Sequence, residues 1–443
     1  METSRDLQSP DLPPESESGA ALISKQEAID RDHRYNFLLL TLYQTTLRCG
    51  WIFKTESIII PAVLDLIAGP GWVRGLLPVL SRFGQSIPPL IYANHLRGMA
   101  RKKWSLFGTS LGMSASFLML AALFIPAVRE RVSQVAMVVA FLALYTVFFV
   151  ATGLNQIGFG TAQGKIIHAG KRGRLMMLAN VVGATVAISL VAVLMPRWLT
   201  PEGTHVNWLF GFSGLTFVLS ALVVMWIKEP PDEHPTTRTT AGKLFLEAVG
   251  IFRTDRHFRL LCLVAAAYGC SLMLFPHYQA LARDRFEITM DRLVYWVMIQ
   301  NAGTAVCSLL AGPLADWKGN RLALRVMMLG VVAIPIVSLI LVHLGGGWGT
   351  VAFDWMFLLI GVTPITYRSL TNYTLELVPP SEHPRYLATL SLCIAAPVFT
   401  SPLLGLLIDV TSYELAFSLM AVVLFMGWLV TLRMIEPRHF PPR

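Results

Sequence analysis

Apolar runs follow one another along the chain from Asn36 onward, each parted from the next by a few polar or turn-forming residues. Twelve are read, at 36–67, 72–95, 104–126, 132–156, 175–195, 207–227, 257–281, 291–314, 321–343, 350–374, 386–408 and 413–434. Each is near or above the roughly 20 residues that a helix needs to cross a bilayer. The pattern therefore predicts twelve membrane helices, numbered span one to span twelve. Residues 1–35, with Pro10, Pro13, Pro14 and several Ser and Glu, have no apolar centre and read as a disordered tail rather than a signal peptide. The stretch 228–256, with Pro230, Pro231 and Pro235, reads as a linker between helical halves at 36–227 and 257–435, and 436–443 as a second tail.

Composition agrees with a membrane protein. Hydrophobic residues make up 54% of the chain and charged residues 14%, against roughly 25% charged in soluble domains. A sequence pI near 9.4 suits a nucleic-acid binder, but the position of the charges argues otherwise. Alternate connections and the tails, counted with the span ends that flank them, hold 25 Lys and Arg, and the remaining connections with theirs hold 7. That alternation is a topology signal, which places both termini in the cytoplasm and the chain in a cell (inner) membrane, with the lipid bilayer and not nucleic acid as its partner. The five cysteines lie in apolar runs without metal spacing and read as small buried hydrophobes. There is no phosphate-binding loop of the form G-x-x-x-x-G-K-[ST] and no nucleophile elbow, so neither an ATP-driven pump nor an enzyme is expected, and no cofactor or metal.

One short loop stands out. Gly312-Pro-Leu-Ala-Asp316-Trp-Lys-Gly319-Asn-Arg321 joins spans eight and nine: a carboxylate at a helix end, a glycine for the sharp turn, then basic residues. It recurs in weaker form between spans two and three, where Ala93 matches Gly312, Ala100 matches Gly319, Lys102 matches Arg321, and Arg97 replaces the acid. Gly84 precedes Arg97 by 13 residues as Gly303 precedes Asp316. Lys228-Glu229-Pro230-Pro231 closes the first half as Glu436-Pro437-Arg438 closes the second, and Arg174-Leu175 corresponds to Arg385-Tyr386. These pairs are offset by 207 to 219 positions. Gly312, Leu314, Ala315, Asp316 and Gly319 resemble the G-x-L-A-D-x-x-G-[RK] loop of the major facilitator superfamily, with Arg321 supplying the basic residue one place late. The resemblance spans about residues 36–435. It implies an all-α integral membrane protein of twelve helices in two pseudo-symmetric six-helix bundles. It also implies a secondary transporter that moves a small-molecule substrate by alternating access and functions as a monomer, with a proton or ion as candidate coupling species. The alternative is a transporter-like receptor or assembly partner that moves nothing, which the lost acid at Arg97 keeps open.

Polar groups at membrane depth are expensive and mark function. Span one carries Arg48, Lys54 and Glu56, and span two Arg82 and Gln85. Glu56 lies 14 residues before Pro70 and Arg82 lies 12 after it, so the two share a depth and can pair, either as a helix clamp or as a substrate- or proton-responsive pair. On an unbroken helix Lys54 points about 200° from Glu56 and needs a partner elsewhere. Polar stripes continue with Asn155, Gln156 and Gln163 in span four, Gln300, Asn301 and Thr304 in span eight, and Tyr367, Arg368 and Asn372 in span ten. His277, after the helix-bending Pro276 of span seven, is a further candidate. The resemblance puts spans one, four, seven and ten around a central cavity. For any single Asn or Gln a hydrogen bond between helices is the plainer account. The resemblance also has Asp316 meet the N-terminus of span five, near Gly173–Leu175, when the cytoplasmic side is closed.

Overall fold

The computed structural model of the chain describes residues 15–231, 250, 252–379 and 382–437. These are helical almost throughout, with no strand among the described residues. Span one is Glu15–Phe53 continued by Ile59–Asp65, span two Gly71–Gly98, span three Lys103–Leu123, span four Gln134–Ile166, span five Ala169–Trp198 and span six Val206–Met225. Span seven is Arg256–Met273 with Phe275–Phe286, span eight Leu293–Lys318, span nine Asn320–Leu344, and span ten Gly346–Ile360 with Val362–Leu377. Span eleven is His383–Val398 with Ser401–Val410, and span twelve Tyr413–Leu432. Among the described residues ten helices are long and apolar enough to cross a membrane, and spans one and two fall outside that criterion. A break shortens the first, and Arg82, Gln85 and their polar neighbours dilute the second.

The expected tail is shorter than the sequence suggests. Residues 15–35 extend span one as helix instead of standing disordered. The run is rich in good helix formers, and its end is tied down. Asp32 meets Lys228 at 3.1 Å, Asp30 meets His168 at 3.0 Å, and Asn36 exchanges hydrogen bonds of 2.7 and 3.0 Å with the Lys228 backbone. Residues 1–14, most of the expected linker and 438–443 lie outside the described residues.

Prolines decide where the helices break. Pro61 has no N–H, and its ring clashes with the carbonyl four residues back, so a helix cannot run through Ser57 into it. Span one accordingly stops at Phe53 and restarts at Ile59, with Pro61 in the first turn. Pro276 does the same in span seven, and Pro364 and Pro402 open the second pieces of spans ten and eleven. Spans one and seven therefore share one shape, a long segment capped by a short one.

The packing repeats as the sequence does. Span one packs on five and six as span seven packs on eleven and twelve. Span two packs on four as eight packs on ten, and span three on four and six as nine on ten and twelve. Each half is drawn together by glycines where a side chain has no room. A Cβ on Gly84 would sit 2.6 Å from the Phe149 carbonyl carbon, and one on Gly153 would sit 2.6 Å from the Gly84 oxygen. In the second half a Cβ on Gly303 would strike the Leu358 backbone, and one on Gly361 the backbone of Gly303 and Thr304. The acids that close each half also share a task. Glu229 accepts from the backbone amides of Lys102 and Lys103 at 2.8 and 2.7 Å, capping span three, and from Lys165 Nζ at 2.8 Å. Glu436 accepts from the Arg321 amide at 3.2 Å, at the start of span nine. Gly319 adopts a positive φ of 92°, and a side chain there would strike the Glu436 carboxylate. Exposed apolar residues, Leu309, Leu310 and Trp348 among them, cover the outside of the bundle as a lipid-facing surface.

Candidate functional site

The two halves touch unevenly. The face that carries the basic loops at 101–103 and 318–325 is called the basic face, and its opposite the far face. Five hydrogen bonds join the halves toward the far face. Asp409 of span eleven accepts from the amides of Gly71 and Trp72 at 2.7 and 3.0 Å, capping span two across the divide. Arg74, paired with Asp65 at 2.9 Å, donates to the Tyr413 hydroxyl at 3.4 Å, and Gln279 donates to Asp65 at 3.0 Å. Ser57, in the break of span one, donates to Gln300 at 2.7 Å. Spans two and eleven cross so closely that a Cβ on Gly75 would lie 2.6 Å from the Ser401 oxygen. Toward the basic face, Gln156 of span four and Tyr367, Arg368 and Asn372 of span ten stand exposed, while the other side of span ten is buried. Exposed polar side chains at membrane depth are costly without water, which marks this side of spans four and ten as a candidate cavity wall.

Its floor is built by the break in span one. Lys54 is fully buried in an aromatic box, with Nζ 3.4 Å from the Trp51 ring centroid and 4.6 and 4.5 Å from Phe148 and Phe149. Nζ donates to Glu56 Oε1 at 2.9 Å. This corrects the expectation that Glu56 pairs with Arg82. A 200° separation holds only on an unbroken helix, and the turn at 54–58 swings Lys54 and Glu56 to the same side. Glu56 and Arg82 still line one small pocket between the halves, with Ser81, Tyr145, Phe275 and Pro276.

The other candidates separate into two groups. Arg48 donates to Asn180 Oδ1 of span five at 3.1 Å, and Arg368 of the second half stands within electrostatic range of it. Tyr367 and Tyr268 place their rings 6.5 Å apart, and Gln85 is half-buried beside Gly153. Asn155, by contrast, is buried in a network between helices, donating to the Tyr43 hydroxyl, Thr109 and Ser110 at 2.7, 2.8 and 3.3 Å. Asn301 donates to the Val297 carbonyl of its own helix at 2.8 Å. His277 is fully buried beneath the far-face contacts. In the loop, Gly312 and Asp316 are exposed at the end of span eight, and Arg321 donates to the Met434 carbonyl at 3.3 Å. Sequence reasoning missed Asn180, Tyr145 and Ser57. Asn180 is an isolated polar residue in an apolar run, and Pro61 was the available signal for the break that exposes Ser57.

Comparison with known proteins places this arrangement. The profile described as Major Facilitator Superfamily matches residues 91–375. No curated protein matches the chain in sequence. Among solved structures, a nucleoside transporter NupG (D323A mutant) aligns with a TM-score of 0.70 and 12% identity, covering 90% of this chain and 100% of its own. A D-xylose–proton symporter aligns at 0.65 and 11%, covering 92% and 99%. A bacterial homologue of the human lysosomal transporter Spinster aligns at 0.60 and 14%, covering 92% and 97%.

Proposed function

The chain belongs to the Major Facilitator Superfamily, and on that premise we propose that it is a secondary active transporter of a small organic solute. The observation that carries the proposal is the one-sided closure. Five hydrogen bonds between the halves lie at the far face, and exposed polar side chains of spans four and ten stand toward the basic face. That is one end-state of an alternating-access cycle, in which the halves rock about a central site. The density of basic residues assigns the open face to the cytoplasm, so the conformation is inward-open in a cell membrane. The solute binds as the halves close over it, between Arg48 and Glu56 of span one, Arg82 of span two and Tyr367 and Arg368 of span ten. A single chain is the proposed working unit.

A proton is the proposed coupling ion, with Glu56 as its site. Glu56 is the carboxylate at the cavity floor, and its one bonded partner, Lys54, is held by the aromatic box. Protonating Glu56 leaves Lys54 uncompensated, so the pair responds to both proton and solute. The D-xylose symporter among the structural neighbours is described as proton-coupled. The test is flux into proteoliposomes with and without an imposed pH gradient. A gradient-driven flux that Glu56→Gln uncouples supports the reading. A solute that binds yet never crosses returns the receptor alternative.

A further inference from the structure

The cavity's charge is one-sided. Span one contributes Arg48, span two Arg82 and span ten Arg368, and none of the three has a carboxylate partner among the described residues. Among the described residues Arg48 makes one hydrogen bond, to a neutral amide oxygen, that of Asn180. Four acids within the spans are already engaged. Glu56 holds Lys54, Asp65 holds Arg74, Asp354 holds Arg292 at 2.6 Å and the Trp296 indole at 2.6 Å, and Asp409 caps span two. Three guanidinium groups without a carboxylate partner therefore stand on spans one, two and ten, Arg82 beside Glu56, whose charge Lys54 neutralises.

Arg48 and Arg368 come from opposite halves and stand close enough to repel. Bringing the halves together at the basic face pushes like charges into a narrowing, low-dielectric space. An oxyanion between them reverses the sign of that term. Guanidinium is planar and matches a carboxylate or phosphate group with two parallel hydrogen bonds. The exposed ring of Tyr367, backed by the buried Tyr268 ring at 6.5 Å, offers an apolar wall beside it. We infer that the cavity takes a small organic anion, a carboxylate or phosphate ester, whose oxyanion bridges Arg48 and Arg368 while Arg82 attracts it toward the floor. The assignment rests on the transporter reading above and names its substrate class. It also supplies a reason for solute-dependent closure: without the anion the two arginines hold the basic face apart.

The experiment uses the purified full-length protein in phosphatidylcholine nanodiscs, so that no anionic headgroup competes. The unfolding temperature is followed against phosphate, succinate and glucose 6-phosphate, and in parallel against glucose and tetraethylammonium. Binding to the folded state raises that temperature by mass action. An anion is expected to stabilise the protein while glucose and tetraethylammonium do not. Arg48→Gln and Arg368→Gln should each weaken the apparent Kd roughly 10-fold or more. Arg48→Lys should retain part of the affinity, and Arg129→Gln, on the far-face connection, all of it. The assignment is overturned if glucose or tetraethylammonium stabilises in place of the anions, or if no anion shifts the transition. Wild-type Kd values in both Gln variants, with folding checked by gel filtration, overturn it as well. So does competition by phosphatidylglycerol nanodiscs, which would give the site to a lipid headgroup. Counterflow in proteoliposomes keeps the two readings apart. An anion that binds and is not moved rejects transport but keeps the site, whereas movement of a neutral solute without anion binding does the reverse.

Discussion

Lys54 and Glu56 set the energetics of the cavity floor. Stripping one partner from a buried ion pair leaves an uncompensated charge, at a cost of about 3–5 kcal/mol, while replacing both is often close to neutral. Glu56→Gln should therefore lower the unfolding temperature and folded yield by stranding Lys54 in its box, and Lys54→Met with Glu56→Gln should recover most of the loss. Arg82→Gln should leave stability nearly unchanged, because Arg82 holds no acid. A double-mutant cycle over thermal unfolding checks this: strong coupling is expected for Lys54 with Glu56, and additivity for Glu56 with Arg82. The reverse pattern would mean that the Glu56–Arg82 pair forms in solution. Transport by the stable Lys54–Glu56 double variant then separates a structural clamp from a working pair.

At the scale of elements, the duplication visible in the sequence becomes a set of shared contacts. The pairing of Glu229 with Glu436 rested on two Glu-Pro dipeptides, and both acids prove to sit at the N-terminus of the third helix of their half. Losing such a cap costs about 0.5–2 kcal/mol. Glu229→Ala should fall at or beyond the upper end, because it also releases Lys165, and Glu436→Ala nearer the lower, as chemical denaturation of each variant would show. The glycine crossings carry a sharper expectation. Gly303→Leu drives a side chain into the Leu358 backbone and should cost at least about 1–3 kcal/mol, whereas Gly312→Leu meets open space and should be tolerated. Spans, halves and the polar stripes were legible because bilayer thickness and the price of buried charge write directly into hydropathy. The break in span one was not read, although Pro61 marks it, because a helix count treats an apolar run as unbroken. The partners of Asn155 lie 45 to 112 positions away and that of Arg48 lies 132 away, and helical periodicity carries no information at that range.

For the molecule as a whole, the balance between its two end-states rests on few bonds. Asp409 makes two charge-assisted bonds to the start of span two, each worth about 1.5–3 kcal/mol. Asp409→Ala should move the population toward an outward-open form by roughly 10-fold or more. A cysteine placed at Arg368 reports the shift: its labelling from the basic face should slow, and labelling from the far face should appear. Asp316 acts on the opposite equilibrium. The expected latch with the start of span five belongs to the conformation in which the basic face is closed. Asp316→Asn should then lengthen the time spent inward-open and slow turnover. An unchanged labelling balance and rate would leave Asp316 a solvated loop acid. With Arg97 in place of the acid in the first-half loop, only one such latch is expected.

The unequal sealing of the two faces also makes the protein sided toward poisons. Phenylglyoxal, which modifies guanidinium groups, has an aqueous route to Arg48 and Arg368 from the basic face and meets the glycine crossing of spans two and eleven from the other. Inside-out vesicles should thus be inactivated quickly and right-side-out vesicles slowly. An antibody fragment lodged in the open mouth would act as a wedge, arresting the carrier with its cavity unable to empty toward the far compartment.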